Sequence, residues 1–246
     1  MSVAEGATPP RKLGQTEFLA LMAMLFATIA FSTDAMLPAL PTIENELTPD
    51  APNRAQLIVT SFLLGMGVGT LITGPLSDSF GRKPTVLAFA ALYIGGAFLA
   101  WVAPSLELLL AARVIQGLGA AGPRVVGLAI VRDLYSGREM ARLVSFIFLV
   151  FSLFPAFAPL IGEGVIALAG WRAIFIAFMA FSLISVIWMA LRLPETLAPE
   201  DRRPLRARRQ AVPRRSRSSL PPRRACRAEP GRRARPKARA AQNRPP

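Results

Sequence analysis

Six apolar runs, each long enough to cross a bilayer, constrain this chain more than anything else in it. A spanning helix needs about 20 mostly apolar residues. Such runs extend from Glu17 to Leu40, Ala55 to Ser77, Thr85 to Ala103, Leu106 to Val131, Leu143 to Leu168 and Trp171 to Leu193. Apolar residues wrap each run instead of forming one stripe, which suits a helix whose outside is lipid. One run alone could be a buried helix of a soluble protein. Six in succession, joined by loops this short, argue for an all-α integral membrane fold.

The overall charge of +14 describes neither part of the chain. From Met1 to Ala198 there are 12 Lys+Arg and 12 Asp+Glu; from Pro199 to Pro246 there are 17 and 3. The domain reading follows: residues 1–16 as a short leading segment, 17–198 as the six-helix membrane body and 199–246 as a basic tail. Arg, Pro, Ala and Gly supply 33 of the 45 residues from Arg202 onward. That composition cannot bury a core, so disorder is expected. These residues have G/C-heavy codons, and a shifted reading frame in a G/C-rich gene is the expectation for the tail. Its charge suits anionic lipid or nucleic-acid phosphates. No aromatic residue interrupts the tail to stack on bases, so no nucleic-acid partner is expected.

The leading run is too long for a secretory signal and lacks a small-residue cleavage pattern, so it reads as an uncleaved first span. Placing the amino terminus inside puts Arg11, Lys12, Arg82, Lys83, Arg132, Arg138, Arg142 and Arg192 on the cytoplasmic side, against Arg54 and Arg172 outside. The positive-inside rule favours that orientation. The chain has no histidine, and its one cysteine, Cys226, lies in the tail. A histidine-centred metal site is excluded, and proton chemistry must use carboxylates.

Ionisable groups inside the spans are the functional candidates, since they cost about 2.5–3.5 kcal/mol each on insertion scales. Asp34 stands about 25 Å along the first span. It is a candidate to take up and release a proton; the competing reading is an interfacial residue capping the turn before Pro38. Arg113, about 10 Å into the fourth span, needs an anion or a polar cavity; a structural pairing with Asp34 is its competitor. Glu163, late in the fifth span, is either a proton site, a counter-ion for Arg113 or a residue near the water interface. Arg124 lies deep in the fourth span.

Charged first and fourth spans fit a three-plus-three inverted repeat. The second span carries Gly65, Gly67, Gly69 and Gly74, and the fourth Gly117, Gly119, Gly122 and Gly127. Gly65 and Gly69 share a helix face and let another backbone approach. Pro155 and Pro159 free carbonyls in the fifth span and are expected to bend it.

Gly74-Pro-Leu-Ser-Asp-Ser-Phe-Gly-Arg-Lys-Pro84 is a short charged turn between two spans. It resembles the signature loop of the major facilitator superfamily, G-x-L-[SA]-D-x-x-G-R-[RK]. Arg113-Val-Ile-Gln-Gly-Leu-Gly-Ala-Ala121 is similar to that family's fourth-span motif, R-x-x-Q-G-x-G. Phe31-Ser-Thr-Asp-Ala-Met-Leu-Pro-Ala-Leu-Pro41, the run Pro155 to Gly162, Gly170-Trp-Arg-Ala-Ile-Phe175 and Leu193-Pro-Glu-Thr-Leu197 resemble the bicyclomycin/chloramphenicol-resistance (Bcr/CflA) branch of drug:proton antiporters.

The resemblance implies one half of a twelve-helix transporter and export of small amphipathic drugs, driven by the proton gradient without cofactor or metal. Its place would be the bacterial inner membrane, with the amino terminus cytoplasmic. It implies proton coupling by Asp34 and Arg113, with Glu163 a further candidate. Gating would fall to Gly74, Asp78, Gly81, Arg82 and Lys83, joined by Arg132 and Asp133, and helix packing and cavity shape to Gln116, Gly117, Gly119, Pro155 and Pro159. Glu163 and Arg124 both depart from the small residues expected there. The expected partners are the bilayer, protons, a drug-like substrate and either a second six-helix half or a second copy, though no sequence feature demands the copy. The competing function is a non-transporting membrane fragment or scaffold.

Overall fold

The computed structural model describes residues 14–197 and Arg202. The expectations for residues 1–13 and for the rest of the tail, including the shifted frame, lie outside the described residues. Among the described residues, six segments are long and apolar enough to cross a membrane: Gln15–Leu47, Asn53–Phe80, Arg82–Trp101, Leu106–Leu134, Gly137–Ala169 and Ala173–Arg192.

The leading segment is broken. Helix α1 (Gln15–Asp34) stops four residues before Pro38, whose ring would clash with the Asp34 carbonyl and whose nitrogen has no proton to donate. A 3-10 turn (Leu37–Ala39) and a short helix α2 (Leu40–Leu47) follow, so the element runs past the expected end at Leu40. Helix α3 (Leu57–Phe80) and helix α4 (Arg82–Trp101) are joined by Gly81 alone. Its φ of 104° lies where side chains other than glycine are strained. Helix α5 (Leu106–Leu134) is capped by Ser105, whose hydroxyl accepts from the Leu108 amide at 3.4 Å.

Helix α6 (Gly137–Ala169) begins six residues before the expected Leu143. Apolar length marks the part of a helix that lies in lipid, whereas the polar first turns continue into water. The helix continues unbroken through Pro155 and Pro159. Helix α7 (Ala173–Arg192) completes the body.

Packing follows the three-plus-three plan. Helix α5 packs chiefly on α3 and α4, whereas α1 packs chiefly on α6 and α7. Exchanging the first three spans with the last three maps one set of pairings onto the other. The result is a first row in the order α3, α5, α1, α6, backed by α4 and α7, which pack on each other.

Glycine sets the closest approaches within this arrangement. A Cβ on Gly65 would overlap the Val114 carbonyl, and one on Gly117 the Phe62 carbonyl, so α3 and α5 meet backbone to backbone. Gly96 and Gly119 do the same between α4 and α5. On the other side of the repeat, Gly162 of α6 sits against the Ala35 carbonyl at the break in the leading span. Gly67 and Gly74 meet nothing, so their helical neighbours, not they, form the packing face.

Two apolar cores result. One gathers Met36, Phe62, Leu109, Phe175 and Phe178; the other gathers Phe18, Phe26, Val86, Ile130 and Leu143. The end helices of the first row, α3 and α6, are the least buried spans. Leu64 and Leu71 on α3, and Leu149, Leu153 and Leu160 on α6, stand exposed.

Candidate functional site

The largest fully buried side chain in the body is Arg113. Its position on α5 follows from the glycine contacts: Gly117, one turn on, admits α3, so the guanidinium enters a layer lined by α1, α3, α4 and α5. Nη2 donates to the Ser32 carbonyl at 3.0 Å, Nε to the Ile58 carbonyl at 3.3 Å and Nη1 to Gln116 Oε1 at 2.8 Å. Gln116 is three residues on and shares the helix face. The guanidinium carbon lies 4.4 Å from the centre of the Phe62 ring. The positive charge is therefore held by carbonyl dipoles and a π face. One of those carbonyls belongs to the last turn of α1, the negative end of its dipole.

Ser32 ties the layer to α4. Its hydroxyl donates to the Thr28 carbonyl at 2.6 Å and is hydrogen-bonded to the buried Tyr93 hydroxyl. Gln116 Nε2 is buried and has no hydrogen-bond partner among the described residues.

Asp34 stands two residues beyond Ser32, as the last residue of α1. It is half-buried and makes no side-chain hydrogen bond or ion pair among the described residues. The contacts of Arg113 are with carbonyls, Gln116 and Phe62, so the considered pairing of Arg113 with Asp34 is not formed. Glu163 is exposed on α6 and is not a counter-ion for Arg113 either. A turn cap by Asp34 is likewise absent, since its carboxylate accepts no backbone amide among the described residues. Gly119 packs on the Tyr93 and Phe89 backbone, behind this layer. Pro159 is half-buried and Pro155 exposed, away from it.

A second polar cluster surrounds the α3–α4 turn. Arg82 is only 11% exposed at its side chain. Its Nη1 donates to Asp78 Oδ1 at 2.7 Å and Ser77 Oγ at 2.8 Å, and its Nε to Asp133 Oδ2 at 3.0 Å. Asp133 lies in the last turn of α5, so one guanidinium ties the second and fourth spans together. A cleft of about 260 Å³ lies alongside, lined by Gly74, Ser77, Asp78 and Arg82 on one wall and Val125, Ala129, Arg132 and Asp133 on the other. Arg132 thus reaches the cluster's cleft, while Asp133 is the one of the pair bonded to Arg82.

Sequence reasoning missed Glu195. Its carboxylate accepts from the Arg82 amide at 2.9 Å and the Lys83 amide at 3.2 Å, so it caps α4 from the segment leaving α7. Oε1 also accepts from the Thr196 and Leu197 amides at 3.1 Å. Lys83 Nζ completes the tie by donating to the Ala190 carbonyl at 2.7 Å. The available signal was an isolated acid just past an apolar run. Also missed was Glu17, whose carboxylate takes two bonds from Arg192, at 2.5 and 2.7 Å.

Comparison with known proteins places this geometry. The Major Facilitator Superfamily model matches residues 21–234. The chain is 35% identical over 192 residues to a bicyclomycin resistance protein homolog of Haemophilus influenzae, covering 77% of this chain and 47% of that one. It is 38% identical over 165 residues to a chloramphenicol resistance protein of Pseudomonas aeruginosa, covering 66% and 39%. The chain thus spans about half the length of the curated relatives it matches. Its fold superposes on the xylose transporter XylE from E. coli with a TM-score of 0.66 at 15% identity, covering 74% of this chain and 49% of that one. Six apolar helices, the repeat packing and the matched model lead to one conclusion: the chain is a multi-pass membrane protein that belongs to the Major Facilitator Superfamily, a family of transporters, not of enzymes.

Proposed function

We propose that this chain is the amino-terminal half of a proton-driven exporter of small amphipathic compounds in a bacterial inner membrane, with its amino terminus in the cytoplasm. The observation that carries the reading is the break at the end of α1. Asp34 stands there half-buried and, among the described residues, without a hydrogen-bond or ion-pair partner, while Arg113 holds the carbonyl two residues away. A carboxyl at that depth with no fixed partner can exchange its proton with an aqueous cavity. The nearby guanidinium lends the site a positive field without neutralising it in a salt bridge. Relatives named for resistance to bicyclomycin and chloramphenicol support a drug-like cargo.

In this reading Asp34 carries the proton, Arg113 and Gln116 hold the segment that presents it, and the Asp78–Arg82–Asp133 cluster locks one end of the bundle and releases it as the transporter rocks. Lys83 and Gly81 shape that lock. The proton gradient supplies the energy, so no cofactor takes part. The uncovered faces of α3 and α6 favour a second reading, in which this chain alone is a membrane scaffold that does not transport.

The test is accumulation of a fluorescent cationic dye in efflux-deficient cells expressing the full chain. Export should lower accumulation, and an uncoupler or Asp34→Asn should abolish the difference. Accumulation unchanged by expression supports the scaffold.

A further inference from the structure

We infer that Arg124 is an anion subsite of the cargo-binding face: its guanidinium takes the carboxylate, sulfonate or phosphate of a small amphipathic compound at mid-depth, between α1 and α3. This names a cargo class for the proposed exporter and rests on that reading.

Glycine contacts fix the place of Arg124 around its helix. Gly117 precedes it by seven residues, two turns less about 20°, and packs on the Phe62 carbonyl of α3. Gly127 follows by three residues, and a Cβ there would meet the Phe26 ring of α1. Gly122, about 160° away around the helix, packs on Phe89 of α4, behind the row. Arg124 therefore stands on the front of α5, in the gap between α3 and α1. It shares that front with Arg113, eleven residues earlier and about 16 Å along the axis. Arg113 is buried in its layer, whereas Arg124 is exposed.

Its depth sets it apart from lipid headgroups. Arg124 lies eighteen residues from the start of α5 and ten from its end, about 27 and 15 Å. To reach the nearer headgroups the side chain would have to turn toward Leu134. It leans the other way, as helix side chains do, and rests Nη1 at 4.0 Å from the Met66 sulfur. A charge at that depth needs a cavity or a counter-charge. The acids nearest along these two helices are already paired: Asp133, nine residues on, and Asp78, twelve residues past Met66, both hold Arg82. Asp34 and Glu163 flank the contact of Gly162 with the Ala35 carbonyl. That contact lies at the end of α1 that Arg113 holds, about three turns from Arg124.

The guanidinium offers an open fork. It carries five N–H donors in one plane. Among the described residues its one side-chain polar contact is the weak sulfur acceptor, and it makes no ion pair. Two parallel N–H bonds fit the edge of a carboxylate or a phosphate. Met66 and the exposed Leu63, one turn before it, give apolar surface beside the charge. Methionine adapts its shape to an irregular neighbour. An anionic head on an apolar body matches both surfaces, whereas an uncharged compound leaves the fork unpaired. Cations find their complement at the other level, at Asp34 and Glu163, so export of a cationic dye and binding of an anionic one are separate properties.

The test is equilibrium binding to the purified full-length chain in non-ionic detergent, read by fluorescence anisotropy against protein-free micelles. The probes are rhodamine B and its ethyl ester, which share one cationic ring system and differ in a free carboxylate. The ratio of their Kd values is the reading. R124Q should shift that ratio toward the ester by about tenfold or more, the size of a lost charge-assisted contact. R124E should shift it further, to a preference for the ester that a misfolded chain cannot give. R124K keeps the charge without the fork and should retain part of the parent ratio. The same ratio in the parent chain and R124Q, or a parent chain that binds neither dye, overturns the inference; a carboxylate of another segment already on Arg124 would give that result. So does a parent ratio that collapses to the R124Q value on adding phosphatidylglycerol but not phosphatidylcholine, which assigns the guanidinium to a lipid phosphate. Binding is read without transport. A chain that prefers rhodamine B yet exports nothing counts against the transport reading alone, and export of a cationic dye without that preference counts against the subsite alone.

Discussion

Arg113 donates to the carbonyl of Ser32 at 3.0 Å, and so fastens the fourth span to the turn of the first span that ends at Asp34. The buried charge serves as a bracket for backbone. It collects acceptors from α1 and α3, and a glutamine of its own helix, in one plane.

Removing that bracket should be costly. Arg113→Ala leaves the Ser32 and Ile58 carbonyls and the Gln116 amide without their donor, in a site closed to water. The expected loss is at least about 2 kcal/mol, with a further contribution from the cavity. Arg113→Lys should fall between, because an ammonium cannot fork to three directions at once. Denaturant unfolding in detergent, followed by tryptophan fluorescence, measures both. Equal stability of Arg113→Ala and the parent chain would contradict the bracket.

Glycines of similar sequence context should respond differently. Gly117→Ala presses a methyl on the Phe62 carbonyl, which belongs to backbone and cannot swing aside. A loss of about 1–3 kcal/mol or more is expected. Gly67→Ala meets open space and should be neutral or slightly stabilising, since alanine is the better helix former. Paired melting curves of the two variants check the contrast.

Glu195 should act as a remote cap. Glu195→Ala removes the acceptor for the Arg82 and Lys83 amides, a change that costs about 0.5–2 kcal/mol at ordinary helix starts. Hydrogen exchange should quicken at the first turn of α4 and at residues 193–197, and stay unchanged in α6. Glu195→Gln keeps an acceptor and should retain part of the protection. Uniform exchange across the bundle in Glu195→Ala would point to global unfolding instead.

The Arg82–Asp133 contact should show coupling beyond the two single changes. Arg82 is largely buried and held on three sides, unlike the exposed Arg54–Glu107 pair. A double-mutant cycle with Arg82→Ala and Asp133→Asn should return about 1 kcal/mol, whereas the Arg54–Glu107 cycle should return close to nothing. Stability measured at low and high salt separates them, with the exposed pair the more sensitive to salt.

The spans were legible because bilayer thickness translates directly into apolar length, and the Gly81 turn because a one-residue reversal leaves few alternatives to glycine. Asp133 beside Arg82 was legible from two charged spans ending on one side. The bracket at Arg113 was not, since its partners are carbonyls, which every residue carries and no residue type marks. Glu195 was hidden for the same reason, with amides as its partners more than a hundred residues away. The faces that separate Gly65 and Gly117 from Gly67 and Gly74 depend on how helices cross, which spacing alone leaves open. Helix α2 was missed because its polar turns continue beyond the apolar run that announced the span.

On the proposed function, protons move against a drug-like cargo through Asp34. The most direct measurement is proton flux in proteoliposomes holding the purified full-length chain and a trapped pH-sensitive dye, with an imposed pH gradient and an added lipophilic drug. Drug-dependent proton flux is expected from the parent chain and none from Asp34→Asn that still folds and inserts. Flux of equal size from both, or no flux from the parent chain, would contradict it.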